Sequence, residues 1–179
     1  MKIINSPFQG CYLLEENTIE DKRGYFSKIY DYDFLKEEIN LDHFIQENES
    51  FSCKKVIRGM HYQKEPYSQN KIIRVLSGKI WDIVIDLRPN SSSYLNSYGV
   101  ELSHENRRQL FVPTGFAHGF AVTSDFARVI YKVNKAYMPN LERGFSPFDP
   151  QFNLKWPFSM QESIISDKDL NWPLFKKDV

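Results

Sequence analysis

A chain of 179 residues has the length of a single domain, and residues 1–179 read as one unit with enough apolar material for one well-filled core. Hydrophobic residues make up 41% and aromatics 15% of the chain, which excludes a disordered polypeptide; fourteen Phe and ten Tyr favour a β-rich core or an aromatic-lined pocket. The 23 basic and 23 acidic residues cancel, so bulk attraction to nucleic acid or to an anionic membrane is not expected, although a local basic pocket for a small anion is compatible with that balance.

Two cysteines, Cys11 and Cys53, stand far apart in no metal-binding or redox spacing. That usage favours a reducing, cytoplasmic setting over a disulfide framework. The first ten residues lack the apolar core of a signal peptide, and no apolar run approaches the ~20 residues that span a bilayer. A soluble protein is expected.

In chain order, residues 31–39 (DYDFLKEEI) form the clearest early helix, with Asp31 or Asp33 as its cap and Phe34 and Leu35 to dock it. Strand signals dominate thereafter. Residues 71–76 (KIIRVL) and 79–87 (KIWDIVIDL) flank Ser77-Gly78, which predicts a hairpin with a two-residue turn. In its second arm Trp81, Ile83, Ile85 and Leu87 share one face and Asp82, Asp86 and Arg88 the other, which predicts a strand buried on one side. Residues 89–97 make a polar loop, and further strands are expected at 109–113, 119–122 and 127–133, with a turn at Pro113-Thr114-Gly115. Many short strands between turns indicate a sandwich or barrel. The last forty residues carry Pro139, Pro147, Pro150, Pro157 and Pro173; they are expected to wrap the barrel, anchored by Phe148, Phe152, Leu154 and Trp156.

Polar groups of catalytic type concentrate in five stretches: 21–26 (DKRGYF), 46–63 (QENESFSCKKVIRGMHYQ), 112–120 (VPTGFAHGF), 131–142 (YKVNKAYMPNLE) and 166–169 (SDKD). They supply the kit for binding a diphosphate and moving protons. Strict alternation sends Arg58 and His61 to opposite faces, and a bulge at Gly59 would aim both at one pocket. No HxH pair occurs, and His43 and His104 lie outside these stretches, so no metal site is expected.

The ordered set DxRGxF, QxNxSxS, RGMHYQ, Lys71, GKIWDIVIDLR, PTGFAHGF, paired tyrosines, a Glu, WP and SDKD resembles the dTDP-4-dehydrorhamnose 3,5-epimerase family over roughly residues 5–175. The resemblance implies an all-β-dominated, cupin-type jelly-roll barrel with a few short helices, acting as a homodimer without metal or cofactor. It further implies inversion of C3 and/or C5 of a nucleoside-diphosphate 4-keto-6-deoxy sugar. A hydrogen beside a ketone is only weakly acidic, so such chemistry needs a base on one face, a cation at the developing oxyanion and an acid on the opposite face.

By resemblance, His61 is the base, Asp169 its partner, Tyr131 the opposing acid and Lys71 the cation at the 4-keto oxygen. An imidazole suits the first role because it titrates near working pH. Arg23 and Phe26 would reach the nucleotide from a partner subunit. Gln46, Asn48, Arg58, His118 and Lys168 would line the sugar and diphosphate, with Tyr137 and Glu142 near the sugar–nucleotide end. One position departs from the pattern: two residues after DxRGxF the family commonly has Glu, and this chain has Lys28, close to the expected nucleotide site. The choice between dTDP and GDP, the latter carried by capsule-sugar relatives acting on heptoses, stays open at this level. So does inversion of one centre or two. A 3,4-ketoisomerase is disfavoured by the His61, Tyr131 and Asp169 set, and a non-catalytic sugar-binding barrel would have no reason to keep that set together.

Overall fold

The computed structural model describes residues 1–41 and 43–176. Thirteen strands are present among them: β1 (Lys2–Phe8), β2 (Cys11–Glu15), β3 (Asn17–Asp21), β4 (Gly24–Lys28), β5 (Gln46–Cys53), β6 (Ile57–Gln63), β7 (Lys71–Ser77), β8 (Lys79–Asp86), β9 (Ser97–Ser103), β10 (Arg108–Val112), β11 (Phe116–Val122), β12 (Phe126–Val133) and β13 (Glu142–Gly144). They form a six-stranded sheet in the order β1-β2-β10-β7-β12-β5, a five-stranded sheet in the order β13-β6-β11-β8-β9, and the separate hairpin β3-β4. The two large sheets face each other as a jelly roll of cupin type, as the resemblance implied. Two short α-helices complete it, α1 (Tyr32–Ile39) and α2 (Asp167–Leu170).

Between the sheets, every second residue of each strand points inward. Leu13, Ile73, Val75, Leu110 and Val129 from the larger sheet meet Ile80, Val84, Leu102, Phe116, Phe120 and Val122 from the smaller one in a single buried cluster. The outer faces are covered in part. On the larger sheet Leu14, Ile72 and Phe111 take α1 through Leu35, which is fully buried and contributes ~2 kcal/mol by leaving water. Asp31 caps that helix by accepting the Phe34 N–H, as its sequence predicted. On the smaller sheet Met60, Ile83, Ile85 and Ala117 are covered by Phe145, Phe152, Leu154, Trp156 and Phe175. The proline-rich C-terminal segment therefore does wrap the barrel, and buried Asp149 fixes one corner by accepting the N–H groups of Gln151 and Phe175.

Two expectations are corrected here. β7 and β8 do not form a hairpin, because β7 pairs with β10 and β12 while β8 pairs with β9 and β11. Ser77-Gly78 is instead the corner where the chain passes from one sheet to the other. Gly78 sits there at φ 81°, and a Cβ would strike the Phe126 carbonyl oxygen. A two-residue turn carries no information about which neighbour each arm pairs with. The second correction concerns β8, which is buried on both faces: Asp82 and Asp86 are as inaccessible as Ile85. The C-terminal wrap covers the face that carries Trp81, Ile83 and Ile85, and the opposite sheet covers the face of the two aspartates.

Buried Asp86 is satisfied by its own strand end. Its carboxylate accepts from the Arg88 backbone N–H at 3.0 Å, Arg88 Nε at 2.8 Å and Nη2 at 2.7 Å, and from the hydroxyls of Ser91 and Ser93 at 2.6 Å each. Burial pushes this carboxyl up, but those bonds outweigh it and hold it well below the ordinary carboxylate range. A depressed native pKa contributes stability that is present above the unfolded value, ~4, and is lost as pH falls toward the native one. Asp86→Ala is expected to lower unfolding free energy by ~3 kcal/mol near neutral pH, with the gap to wild type narrowing below about pH 4. Denaturant titrations across that range check it, and a pH-independent gap contradicts the account.

Candidate active site

At one end of the sandwich the inward positions turn polar and the sheets enclose a cavity of about 460 Å³. From the larger sheet Gln46, Asn48, Lys71 and Tyr131 face it; from the smaller sheet Arg58, His61 and His118 do. Tyr137, Glu142, Lys168 and Asp169 close the side formed by β13 and α2. Eleven of the residues singled out in the sequence are thus brought together around one space.

The convergence of Arg58 and His61 depends on a bulge. His118 pairs with His61 and Phe120 with Arg58, so two steps along β11 match three along β6. The extra residue is in the Gly59-Met60 region, where the sequence reading put it. Gly59 adopts φ 131°, and a Cβ there would lie 2.6 Å from the Gly119 Cα. Only glycine lets the two strands approach so closely with that backbone.

The bulge also ties in Asp169. Its Oδ1 lies 2.6 Å from His61 Nε2, and its Oδ2 accepts the Gly59 N–H at 3.2 Å. Ser166 caps α2 by accepting the Asp169 N–H, so a four-residue helix delivers the carboxylate to the imidazole. Burial works to raise the Asp169 carboxyl, yet the hydrogen bond to His61, the His61 charge and the Gly59 N–H together hold it below its ordinary value. Asp169 is therefore a carboxylate at neutral pH, which fixes the hydrogen on His61 Nε2 and leaves Nδ1 as the basic nitrogen.

Across the cavity, Tyr131 is held between Asn48 of β5 and Ile73 of β7 in the ladder. Burial raises its pKa, against the pull of Arg58, so the phenol keeps its proton. The Lys71 ammonium has no hydrogen bond among the described residues; desolvation draws its pKa down, against the attraction of Glu142 and Asp82. Glu142 accepts from Tyr137 Oη and Lys168 Nζ, both at 2.6 Å. Arg58 Nε donates to Ser52 Oγ at 3.0 Å, and Gln46 Nε2 donates to Asn48 Oδ1 at 2.7 Å.

Three expected binding residues do not line this cavity. Arg23 stands at the turn of β3-β4, its side chain 84% exposed and ion-paired with Asp21 at 2.6 Å. Phe26 on the same hairpin is 71% exposed. Lys28 pairs with Asp31, the cap of α1, at 2.9 Å and so serves the helix start. Conversely, the sequence reading passed over Asp82, which lies beneath the cavity with Oδ2 2.9 Å from His118 Nε2. Its place opposite the aliphatic face of β8 was legible, but not that this face was interior. Among the described residues, no group of three or more His, Cys, Asp or Glu side chains is placed to hold a metal ion.

Gly59→Ala forces a side chain into the Gly119 backbone and is expected to cost ~3 kcal/mol in stability. Chemical denaturation measures this directly, and an unchanged midpoint contradicts the close approach described.

The profile of the dTDP-4-dehydrorhamnose 3,5-epimerase family matches residues 5–177. A dTDP-4-dehydrorhamnose 3,5-epimerase of Shigella flexneri is 39% identical over 176 residues, covering 98% of this chain and 96% of that one. The crystal structure of the Elizabethkingia anophelis enzyme of the same name is 40% identical, covers 99% of this chain and 98% of its own, and superposes with a TM-score of 0.95. A Legionella pneumophila dTDP-6-deoxy-D-glucose-3,5-epimerase, solved in complex with dTDP-4-keto-L-rhamnose, is 37% identical with a TM-score of 0.91, covering 97% and 92% of the two chains. These likenesses span nearly the whole chain, and the chain belongs to the dTDP-4-dehydrorhamnose 3,5-epimerase family.

Proposed function

We propose that this protein inverts C3 and C5 of a dTDP-linked 4-keto-6-deoxyhexose, using His61, Tyr131, Lys71 and Asp169 and no metal or cofactor. The observation that carries the reading is the facing of two proton-handling groups across one cavity: His61 on β6 of one sheet, Tyr131 on β12 of the other. Inversion requires this opposition, because a proton leaves one face of a carbon and another arrives on the opposite face. His61 Nδ1 takes the hydrogen beside the ketone as the C–H electron pair moves into the enolate, whose oxygen Lys71 stabilises. The Tyr131 hydroxyl then protonates the same carbon from the far side, and the phenolate left behind lies within the attraction of Arg58. Asp169 holds the imidazole throughout and balances the imidazolium.

Gln46, Asn48, Arg58, His118, Tyr137, Glu142 and Lys168 bind the sugar and diphosphate, the planar fork of Arg58 suiting a phosphate oxygen pair. The dTDP names of the relatives favour that nucleotide over GDP. We assign the nucleotide end to Arg23 and Phe26 of a second subunit. In support, both stand on an exposed hairpin away from their own cavity, beside Ile19 at 72% exposure, a large apolar surface for a monomer to leave in water. The protein thus works as a homodimer, in the cytoplasm. Two free cysteines agree with that setting. Among the described residues no helix is long and apolar enough to cross a membrane.

His61→Asn is expected to lower kcat by ~10³-fold while dTDP affinity changes less than about threefold. Coupled turnover and calorimetry separate the two, and full activity in this variant sinks the assignment of the base. For the dimer, sedimentation of the full chain gives twice the mass of 21.2 kDa, and Phe26→Ser raises KM more than it lowers kcat. A monomer with normal KM contradicts the cross-subunit contact.

A further inference from the structure

The proton-transfer reading leaves Asp82 without a task. Yet its side chain is fully buried, on the inward face of β8 between Ile80 and Val84, both in the apolar cluster. A carboxylate among aliphatic groups is costly, and another aliphatic residue would pack there at no such cost. Its Oδ2 lies 2.9 Å from His118 Nε2, while Oδ1 has no hydrogen-bond partner. Charged and titratable groups face it from three strands: His118 from β11, Lys71 from β7 and Cys11 from β2. Burial pushes the Cys11 thiol up to about 12, with Asp82 adding to it, so that group stays neutral.

We propose that Asp82 is a positioning residue that holds His118 with Nε2 turned toward it and Nδ1–H presented to the cavity, making His118 a second donor, beside Lys71, to the enolate oxygen. The inference rests on the epimerase reading above, since only a reaction through an enolate develops charge at that oxygen. Three observations carry it. His118 lines the cavity, its Nε2 is committed to Asp82, and its Nδ1 has no partner among the described residues. The carboxyl lies among aliphatic side chains with Oδ1 unpartnered, a setting that favours a pair carrying no net charge, and burial raises its pKa in the same sense. A neutral pair holds two protons, one shared between Oδ2 and Nε2 and one on Nδ1; whichever partner owns the shared proton, Nδ1–H remains a donor. Finally, Lys71 reaches the same carboxylate electrostatically from the opposite sheet, so a cation and a donor converge above Asp82.

His61 and His118 lie opposite each other across β6 and β11, and each engages a carboxylate through Nε2. Asp169 has a depressed pKa and a second donor in the Gly59 N–H, so it makes its histidine a base. Asp82 has a raised one and an unpartnered oxygen, so it makes its histidine a donor. Two adjacent imidazoles acquire opposite duties from their carboxylates.

The test combines nitrogen-15 NMR of histidine-labelled full-length protein with kinetics on a dTDP-linked 4-keto-6-deoxyhexose, His118→Gln serving to assign the signal. In the wild type at neutral pH, His118 Nδ1 should carry a proton; an unprotonated Nδ1 overturns the proposal, and this reading needs no variant to fold. Asp82→Leu should remove that signature and lower kcat by ~10²-fold, with dTDP affinity held within about threefold. A variant with wild-type kcat and an unchanged His118 spectrum also overturns it. If the wild type fails to turn over the substrate, the epimerase reading fails and the enolate role with it, while the spectrum still decides separately whether Asp82 sets the tautomer.

Discussion

One extra residue in β6, accommodated by Gly59, is the constraint on which the site depends. Without it β6 and β11 would run in even register, and Arg58 would point into the C-terminal wrap while His61 pointed into the barrel. With it, both reach the cavity. The same glycine gives its N–H to Asp169, so the backbone irregularity that gathers the side chains also fixes the carboxylate that engages the His61 imidazole. Close packing of Gly59 against Gly119 leaves this arrangement little freedom. Bulges beside functional centres serve this purpose: they re-aim side chains that strict alternation would separate.

The sandwich divides its interior along the strands. Toward one end the inward positions are aliphatic and aromatic and fill the space; toward the other they are Lys71, Tyr131, His61, His118 and their neighbours, and the space stays open. A single strand contributes to both zones: on β12, Val129 packs in the core and Tyr131, two residues on, faces the cavity. The rigid packing of the filled end thereby holds Lys71, Tyr131, His61 and His118 on strands rather than loops, which suits chemistry that needs two faces of one carbon addressed at once.

Much of this was legible in the sequence. The helix at Asp31, the bulge at Gly59, the anchoring of the C-terminal segment and the gathering of eleven singled-out residues all follow from local pattern and motif order. Pairing was not legible. Ser77-Gly78 has the composition of a hairpin turn, and only the competition among all strands for neighbours makes it a corner between sheets. Asp82 was hidden for a related reason: alternation assigns it to a face but does not say which face meets water, and here neither does. Arg23 and Phe26 mark a different limit, since both stand exposed on the β3-β4 hairpin and alternation along a strand does not say what an exposed side chain meets.

The central claim is that hydrogens at two carbons flanking the ketone are removed and replaced from opposite faces. Incubating the protein with a dTDP-linked 4-keto-6-deoxyhexose in deuterium oxide and following the sugar by NMR tests it most directly. The account predicts deuterium at both C3 and C5, appearing with inverted configuration. Deuterium at one centre alone would contradict double inversion, and none at either, with the nucleotide sugar bound, would contradict the proton-transfer mechanism altogether.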